Sequence, residues 1–324
     1  MRALRYRRYG SPDVLRIEEL PEPASGAGRA KIRVRAVGLN PLDWKILAGH
    51  LRLIPFISSP PRGVGFDFSG DIVGVGGGAT ERHIGERVFG SLATFTREGA
   101  CSELISVGYD RLLPLPAELD DVPAAALPIA GGTALQALVD EAHLARGQRV
   151  LITGAAGGVG HFAVQIAKHL GAYVVGVCSA NNADFVRNLG ADEVVDYASQ
   201  DFTRREDRFD VIFDAACASS FAAARRVLTE SGAYLNTGGD MASVVRTAAS
   251  AVLTRLRSRQ RAIPVSLKNA SPIWRRVVDL ARQGTLRPHV ERTIAMDEVA
   301  DAFRAMETGH GRGKIVVRLQ AVGV

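Results

Sequence analysis

A glycine-rich turn between an apolar run and an amphipathic segment is the part of this sequence that most directly suggests chemistry. Residues 150–170 read VLITGAAGGVGHFAVQIAKHL, and the turn contains Gly154, Gly157, Gly158 and Gly160. A strand that enters a helix through such a turn presents backbone N–H groups and the positive end of the helix dipole to a phosphate. Glycines let the backbone approach a pyrophosphate and let the helix pack against its strand. The segment therefore predicts a dinucleotide site.

The first glycine of the dinucleotide fingerprint is replaced in this chain. Counting back from Gly160 and Gly157, its place holds Ala155. The strand before the turn and the helix after it are the context that the motif requires. We expect Ala155, Gly157, Gly158 and Val159 to lie against the dinucleotide.

The end of the second strand indicates which dinucleotide fits. An NAD site usually carries Asp or Glu there, about 20 residues beyond the glycine turn, bonded to the ribose 2′-hydroxyl. Residues 178–182 read CSANN and contain no acid. Ser179 and Asn181 could bond a 2′-phosphate, with Arg187 or Tyr197 assisting, which favours NADP(H). The alternative is that Ser179 and Asn181 turn the chain and cap the next helix.

Alternating strands and helices must position these residues. Strands are predicted at Arg149–Thr153, Tyr173–Cys178, Glu193–Val195, Phe209–Phe213 and Ala233–Leu235, and helices at Gly158–Leu170, Ala183–Leu189 and Ser219–Leu228. This alternation implies a parallel sheet covered on both faces. Ligands bind at the carboxyl ends of such strands. Cys217, Gly238 and Gly239 follow strand ends, so we expect them near the cofactor ribose and nicotinamide; for Cys217 a small packing residue is the alternative.

The first third of the chain has a different pattern. Lys31–Val37 alternates charged and apolar residues, and short strands at Ile72–Val75 and Arg87–Phe89 are separated by glycines. Such frequent turn signals favour a small β-barrel or sandwich. A proline-rich acidic stretch at 114–123 indicates a domain border, and Ala124–Leu144 is predicted to be helical with breaks at Pro128 and Gly131-Gly132.

The C-terminal part returns to a mixed pattern. Helices are predicted at Trp274–Ala281 and Met296–Met306, and a closing strand at Lys314–Leu319. We expect this tail to rejoin the first domain.

Composition narrows the class of protein. The chain has 324 residues, a net charge of +6 and three scattered cysteines, which suit a reducing cytoplasm better than a disulfide framework. We expect no signal peptide and no membrane span. The basic run Arg255–Arg261 has no interleaved aromatic residues, so we interpret it as a solvated face and expect no nucleic acid as partner.

Six stretches resemble the medium-chain dehydrogenase/reductase superfamily, and within it the zinc-free quinone oxidoreductase branch. The likeness is to the enone-reducing quinone oxidoreductase homologues of chloroplast envelopes and their bacterial relatives. The stretches cover almost the whole chain in the family's order: Gly38–Lys45, Gly65–Gly70, Ala125–Leu135, Gly154–Gly160, Leu189–Tyr197 and Gly311–Val316.

The resemblance implies an α/β fold in two domains. A GroES-like β-barrel domain would comprise residues 1–122 plus 269–324, and a doubly wound Rossmann NADP-binding domain residues 123–268. The active site would lie in the cleft between them. The resemblance also places Thr133 and Lys314 at the cofactor; a buried threonine that closes a helix bend is the alternative for Thr133.

The same resemblance implies that no zinc is bound. Zinc-dependent relatives carry Cys and a Gly-His-Glu motif at the catalytic ion, whereas this chain has Asn40 and Phe66-Asp67 at those places. Neither Asn nor Phe is a plausible zinc ligand there. Protein donors must then polarise the substrate carbonyl.

Asn40, Asp43 and Lys45 are the family-matched catalytic candidates, and Lys45 could donate to a developing enolate. Asn40-Pro41-Leu-Asp43 also has the pattern of a helix N-cap, a first-turn proline and a first-turn acid. For Lys45 the alternative is a solvated lysine.

The leading hypothesis is therefore an NADPH-dependent, zinc-independent reductase of quinones or α,β-unsaturated carbonyls. Reduction of another activated double bond, such as that of an acyl thioester, is a second hypothesis. A third is a cofactor-binding structural or nucleic-acid-binding protein with little turnover, since zinc-free relatives include lens crystallins. Residues Ala262–Leu267 could form an edge strand that pairs two subunits in a homodimer.

Overall fold

A computed structural model describes residues 1–52, 59–78, 82–93, 96–238, 259–266 and 270–319, together with positions 245, 247, 249 and 250. The chain divides into two compact units. Unit 1 comprises Met1–Ile129, Asn269–Arg282 and Pro288–Val324, and unit 2 comprises Ala130–Lys268 and Gln283–Arg287.

The strands of the described ranges follow in chain order. They are β1 (Arg2–Tyr6), β2 (Arg16–Glu19), β3 (Arg29–Gly38), β4 (Arg62–Gly63), β5 (Asp67–Val75), β6 (Arg87–Ser91), β7 (Leu104–Gly108), β8 (Leu112–Pro114), β9 (Arg149–Thr153), β10 (Tyr173–Cys178), β11 (Glu193–Asp196), β12 (Phe209–Asp214), β13 (Leu228–Asn236), β14 (Arg261–Pro264), β15 (Val290–Ile294) and β16 (Lys314–Arg318).

The α-helices of the same ranges are mostly short. They are α1 (Pro41–Leu47), α2 (Asp121–Ala125), α3 (Pro128–Leu135), α4 (Gly160–His169), α5 (Ala183–Asn188), α6 (Phe221–Ala224), α7 (Ala270–Arg282) and α8 (Val299–Glu307). None of the helices in the described ranges has both the length and the apolar content needed to cross a membrane.

Unit 1 is built on two sheets. One has the order β15-β16-β3-β5-β6-β8, with β7 also paired to β3, and the other has the order β2-β1-β4. The alternation predicted for β3 is confirmed, because Ala30, Ile32 and Val34 are buried in the core. The strand β16 pairs antiparallel with the end of β3. The prediction that the C-terminal tail rejoins the first domain is therefore confirmed.

Unit 2 is built on a six-stranded parallel sheet with the order β11-β10-β9-β12-β13-β14. The prediction of alternating strands and helices is confirmed. The strand order reverses at β9 and β12, and the carboxyl ends of strands at such a reversal form the usual crevice for a dinucleotide. The helix α4 is buried on nearly all sides, since His161, Val164 and Gln165 are buried along with its predicted apolar stripe.

Three helix predictions differ from the structure. Gly131 and Gly132 do not break α3, which begins at Pro128 and continues as a π-helical turn over Gln136–Glu141. Proline suits the first helical position because a backbone N–H at that position would have no partner within the helix.

The helix predicted at Ser219–Leu228 begins at Phe221 and consists of α6 followed by a 3₁₀ turn over Arg225–Val227, and it ends where Leu228 pairs with Phe209 in the sheet. The helix α4 begins at Gly160 rather than Gly158, since residues 154–159 form the turn itself.

Candidate functional site

The glycine turn lies at the carboxyl end of β9 in unit 2. Gly154 has φ of 58°, and the Gly157 N–H donates to its carbonyl oxygen at 2.8 Å. A Cβ on Gly160 would lie 2.0 Å from that same oxygen. Only glycine therefore lets α4 begin this close to the strand. Gly158 and Val159 immediately precede α4, where the first N–H groups of a helix lack helical partners.

Ala155 faces the sheet rather than the turn. It is buried, and its N–H donates to the Val177 carbonyl oxygen at 3.0 Å. A Cβ on Gly176 would lie 3.1 Å from the Ala155 methyl. The N–H and the methyl of Ala155 therefore both lie against β10, and the contact of Ala155, Gly157, Gly158 and Val159 with the dinucleotide stays a prediction.

The residues predicted to select NADP follow the carboxyl ends of neighbouring strands. Cys178 of β10 pairs with Asp196 of β11, so Ser179 and Tyr197 follow neighbouring strand ends. Ser179 is half-buried, Asn181 is exposed and Tyr197 is 53% exposed. The Ser179 carbonyl also accepts the Asn182 N–H at 2.9 Å, which is the turn that the alternative interpretation predicts.

Arg187 lies one turn further along, in α5. Its Nη1 is 2.8 Å from Asp184 Oδ1, and both side chains are exposed. An exposed pair of this kind is weak, so a phosphate could draw the guanidinium away from Asp184.

A buried carboxylate at the end of β12 holds the loop that follows this strand. Asp214 accepts hydrogen bonds from Thr153 Oγ1 at 2.5 Å and from the N–H groups of Ala218 and Ser219, each at 2.9 Å. The Tyr234 hydroxyl lies 2.7 Å from Asp214 Oδ2. Burial, followed by the Asp214 charge, raises the pKa of Tyr234 well above its ordinary value, so the hydroxyl stays a donor. Asp214 is not among the residues predicted from the sequence, although an acid that ends an apolar strand marks this position.

The loop held by Asp214 carries Cys217. This residue has φ of 55°, a left-handed conformation that non-glycine residues seldom adopt. Its Sγ lies 3.6 Å from both Asn236 Oδ1 and Thr237 Oγ1, and the Gly238 N–H donates to Asn236 Oδ1 at 2.8 Å. Cys217 and Gly238 thus follow the ends of β12 and β13 as predicted, whereas Gly239 lies outside the described residues.

Thr133 lies in the middle of α3 and is buried. This burial agrees with the alternative interpretation, that of a buried threonine. Its contact with the cofactor stays a prediction.

A separate polar cluster is buried in unit 1. The Asn40 amide donates to Asp67 Oδ2 at 2.9 Å and to the Gly38 carbonyl oxygen at 3.2 Å. The Lys314 ammonium donates to Asn40 Oδ1 at 2.6 Å and lies 3.9 Å from Asp67 Oδ2. The Ile129 N–H also donates to Asp67 Oδ2, at 3.2 Å. The sequence-predicted residues Asn40 and Lys314 therefore meet directly.

Asp43 holds the first turn of α1 next to this cluster. Its two carboxylate oxygens accept the Asn40 N–H at 2.7 Å and the Gly65 N–H at 3.1 Å. Asn40 is the N-cap residue and Pro41 begins the helix, as the capping interpretation predicts. The side chains of Asn40 and Asp43 therefore both serve the scaffold in this structure.

Burial shifts the titration of the cluster. Burial raises the pKa of Asp67 and lowers that of Lys314, and the attraction between the two groups opposes both shifts. Burial also raises the pKa of Asp43 to about 7, against the hydrogen bond from Asn40.

Asp43 should make the stability of the fold depend on pH. Its pKa rises from 3.8 to about 7 on folding, so its favourable contribution is full below pH 3.8 and is lost as the pH rises through 7. This pKa change can alter the free energy of unfolding by at most about 4 kcal/mol. Urea unfolding of the wild type and Asp43→Asn at pH 5 and pH 8 measures it. We expect the destabilisation caused by the substitution to be smaller at pH 8 by more than about 1 kcal/mol. A penalty that is constant, or larger at pH 8, would contradict this pKa.

Lys45 differs from its neighbours in α1. It is half-buried, and its Nζ lies 5.7 Å from the centre of the Trp44 ring. Within the described ranges, no carboxylate pairs with its ammonium. Among the predicted residues Asn40, Asp43 and Lys45, Lys45 is thus the one whose polar group is not engaged by a carboxylate or by the backbone of the described residues.

Among the residues that the structure describes, no three His, Cys, Asp or Glu side chains are grouped to hold an ion. The Lys314 ammonium lies beside Asn40 and Asp67, and a positive charge there disfavours a second cation.

Similarity to known proteins covers both units. Residues 26–149 match the family described as alcohol dehydrogenase GroES-like domain, and residues 189–317 match the one described as zinc-binding dehydrogenase. The chloroplast envelope quinone oxidoreductase homolog of Arabidopsis thaliana is 32% identical over 98% of both chains. The chloroplastic NADPH-dependent alkenal/one oxidoreductase of the same plant is 29% identical over 98% of this chain and 79% of that protein.

A solved structure agrees with these relatives. The quinone oxidoreductase from Coxiella burnetii superposes with a TM-score of 0.87 at 28% identity, over 99% of each chain. Together with the two domain matches, this agreement over nearly the full length means that the chain belongs to the quinone oxidoreductase branch of the medium-chain dehydrogenase/reductase superfamily.

Proposed function

We propose that this chain is an NADPH-dependent oxidoreductase that reduces quinones or other α,β-unsaturated carbonyl compounds without zinc. The observation that carries the proposal is the glycine turn at the carboxyl end of β9, where the parallel strand order reverses. Relatives named quinone oxidoreductase homolog and NADPH-dependent alkenal/one oxidoreductase support the choice of substrate class.

The carboxyl edge of the unit 2 sheet fits a dinucleotide. Gly158 and Val159 would hold the pyrophosphate, and Ser179, Asn181 and Tyr197 the adenosine ribose with its 2′-phosphate. The loop that Asp214 fixes, with Cys217 and Gly238, would hold the nicotinamide ribose. When bound, NADPH supplies a hydride.

Lys45 is the residue we assign to the substrate carbonyl. Hydride addition to the β-carbon leaves negative charge on the carbonyl oxygen, which a positioned donor stabilises. Both amide N–H groups of Asn40 are engaged, and Asp43 accepts two backbone N–H groups. Lys45 is half-buried, and its ammonium is the donor that remains among the three predicted residues Asn40, Asp43 and Lys45.

Zinc independence is argued from the residues at the family's metal position. Asn40 and Phe66 are poor zinc ligands, and Asp67 already accepts from Asn40 and lies beside Lys314. We expect a strong chelator to leave turnover unchanged, and loss of turnover that added zinc restores would contradict this part of the proposal.

Cofactor preference is a separate expected result. Titration of intrinsic fluorescence should give a Kd for NADPH at least ~10-fold below that for NADH, because neutral donors rather than an acid end β10. Asp184→Ala serves as a probe, since it frees Arg187 and should tighten NADPH binding alone. Equal affinities, or a preference for NADH, would remove the claim.

The reaction itself is tested with a panel of acceptors. NADPH absorbance followed with quinones, alkenals, vinyl ketones and an enoyl thioester should fall with the first three groups. Consumption with the thioester alone would favour the second hypothesis above. Tight NADPH binding without consumption by any acceptor would favour a structural or nucleic-acid-binding protein.

Two further predictions remain proposals. The strand β14 is an edge of the six-stranded sheet in the described ranges, as a homodimer through Ala262–Leu267 requires, while Leu267 itself lies outside those ranges. Sedimentation of the wild type against Ile263→Pro would test the dimer. Cytoplasmic location also stays a prediction, and most of the basic run Arg255–Arg261 falls outside the described residues.

A further inference from the structure

We propose that Lys314 and Asp67 form a positioning pair that clamps the Asn40 side chain and thereby fixes α1, the helix that carries Lys45. The inference rests on the proposed function for its catalytic consequence. It assigns Lys314 a role in unit 1 that differs from the predicted contact with the cofactor.

The clamp joins parts of the chain that are far apart in sequence. Lys314 is the first residue of β16, Asp67 is the first residue of β5, and Asn40 follows the end of β3. The strands β16 and β5 both pair with β3 at this end, through Val316↔Gly38 and Gly38↔Asp67. The sheet itself therefore brings the ammonium, the carboxylate and the amide together.

The Asn40 amide is fully used within the clamp. Its Oδ1 accepts from Lys314 at 2.6 Å, while its two N–H groups donate to Asp67 at 2.9 Å and to Gly38 at 3.2 Å. Reversing the amide would place its NH₂ against an ammonium and its oxygen against a carboxylate. Lys314 and Asp67 thus determine one orientation of Asn40.

The helix α1 depends on such anchors because it has only seven residues. Isolated helices of that length are unstable in water, so contacts outside the helix must fix it. Asn40 anchors its N-cap through the clamp, and Asp43 anchors its first turn to Gly65. Lys45 lies one turn beyond Asn40, so a shift of the N-cap moves its ammonium.

The burial of Lys314 favours a role in the clamp over the predicted contact with the cofactor. The Lys314 side chain is 2% exposed and that of Asp67 is 0% exposed. A lysine that binds the phosphate of a dissociating ligand needs an ammonium that the ligand can reach, whereas Lys314 is already hydrogen-bonded inside unit 1.

The variant Lys314→Met distinguishes a role of Lys314 in the clamp from a contact with the cofactor. Hydrogen exchange of a peptide that covers residues 41–48 should accelerate ~10-fold or more, and exchange in α4 should not change. The kcat at saturating NADPH should fall ~10-fold, with the Kd for NADPH within about twofold of the wild type. A tenfold weaker Kd with unchanged α1 exchange would overturn the proposal in favour of a cofactor contact. Unchanged exchange and unchanged kcat would also overturn it.

Lys31→Met is the matched control, because Lys31 pairs with Glu22 at 3.1 Å on the surface of the same unit. It should alter neither α1 exchange nor kcat. If Lys314→Met does not fold, Lys314→Met/Asp67→Asn removes both charges together and is expected to fold. Accelerated α1 exchange in this double variant supports the clamp, and wild-type exchange rejects it.

Hydrogen exchange keeps the two proposals distinguishable. If the wild-type protein fails to oxidise NADPH with every acceptor tested, the proposed function is refuted. Exchange of α1 in Lys314→Met still tests the clamp in that case. An active wild type with unaltered α1 exchange in Lys314→Met refutes the clamp alone.

Discussion

Gly160→Ala should severely weaken NADPH binding. The new Cβ would lie 2.0 Å from the Gly154 carbonyl oxygen, 2.7 Å from its carbon and 2.8 Å from the Ala155 Cα. These are backbone atoms, so no side-chain rotation relieves the overlap, and α4 must move away from β9. Because the amides before α4 form the proposed pyrophosphate site, we expect the Kd for NADPH to rise ~100-fold or more.

A graded series makes this prediction specific. Gly157→Ala places its Cβ 3.2 Å from the same oxygen and should weaken binding less. Gly77→Ala meets no atom within 4 Å and should bind NADPH as the wild type does. Fluorescence titration gives the three Kd values, and thermal unfolding shows which variants are folded. A folded Gly160→Ala protein with wild-type affinity would place the pyrophosphate elsewhere.

Lys45→Met should lower kcat/KM for an enone by ~100-fold while leaving the Kd for NADPH unchanged. Removing one donor to a developing oxyanion typically costs ~100-fold or more in rate. Methionine keeps most of the apolar stem of the lysine side chain but lacks the ammonium, which lies 5.7 Å from the centre of the Trp44 ring. The charge and the donor are then the only large changes.

Steady-state kinetics on one vinyl ketone measures this effect. Lys31→Met controls for the loss of a positive charge in unit 1, and its kcat/KM should equal that of the wild type. A Lys45→Met protein with full kcat/KM would show that Lys45 is a solvated lysine and would end its assignment to the carbonyl.

The main fold was predictable because its signals are local. The alternating burial of β3 and the glycine turn after β9 follow from residue type and spacing alone. The segment of α6 ends beside Leu228, as predicted, but its last turn over Arg225–Val227 is 3₁₀ rather than α-helical, which residue type and spacing did not indicate. In α3, buried packing holds Gly131 and Gly132 in a helix against their low propensity.

The site was predictable only in part. The sequence motif indicated Asn40, Asp43 and Lys45, and the capping pattern explains the contacts of Asp43. The Lys314 contact with Asn40 spans 274 residues and depends on β16 pairing with β3, which no local pattern encodes. The position of Asp214 at the end of an apolar strand is a local signal, but its partners Thr153, Tyr234 and the 218–219 amides converge on it only once the parallel sheet has formed.

The most direct test follows a labelled hydride. NADPH deuterated at either face of the nicotinamide C4 is supplied with the acceptor that is reduced fastest, and the NADP⁺ formed is analysed by mass spectrometry. We predict that NADP⁺ from one epimer is unlabelled and that from the other keeps all its deuterium, with one acceptor reduced per NADPH. Failure of every acceptor to yield NADP⁺ from the bound cofactor would contradict the assignment as a reductase.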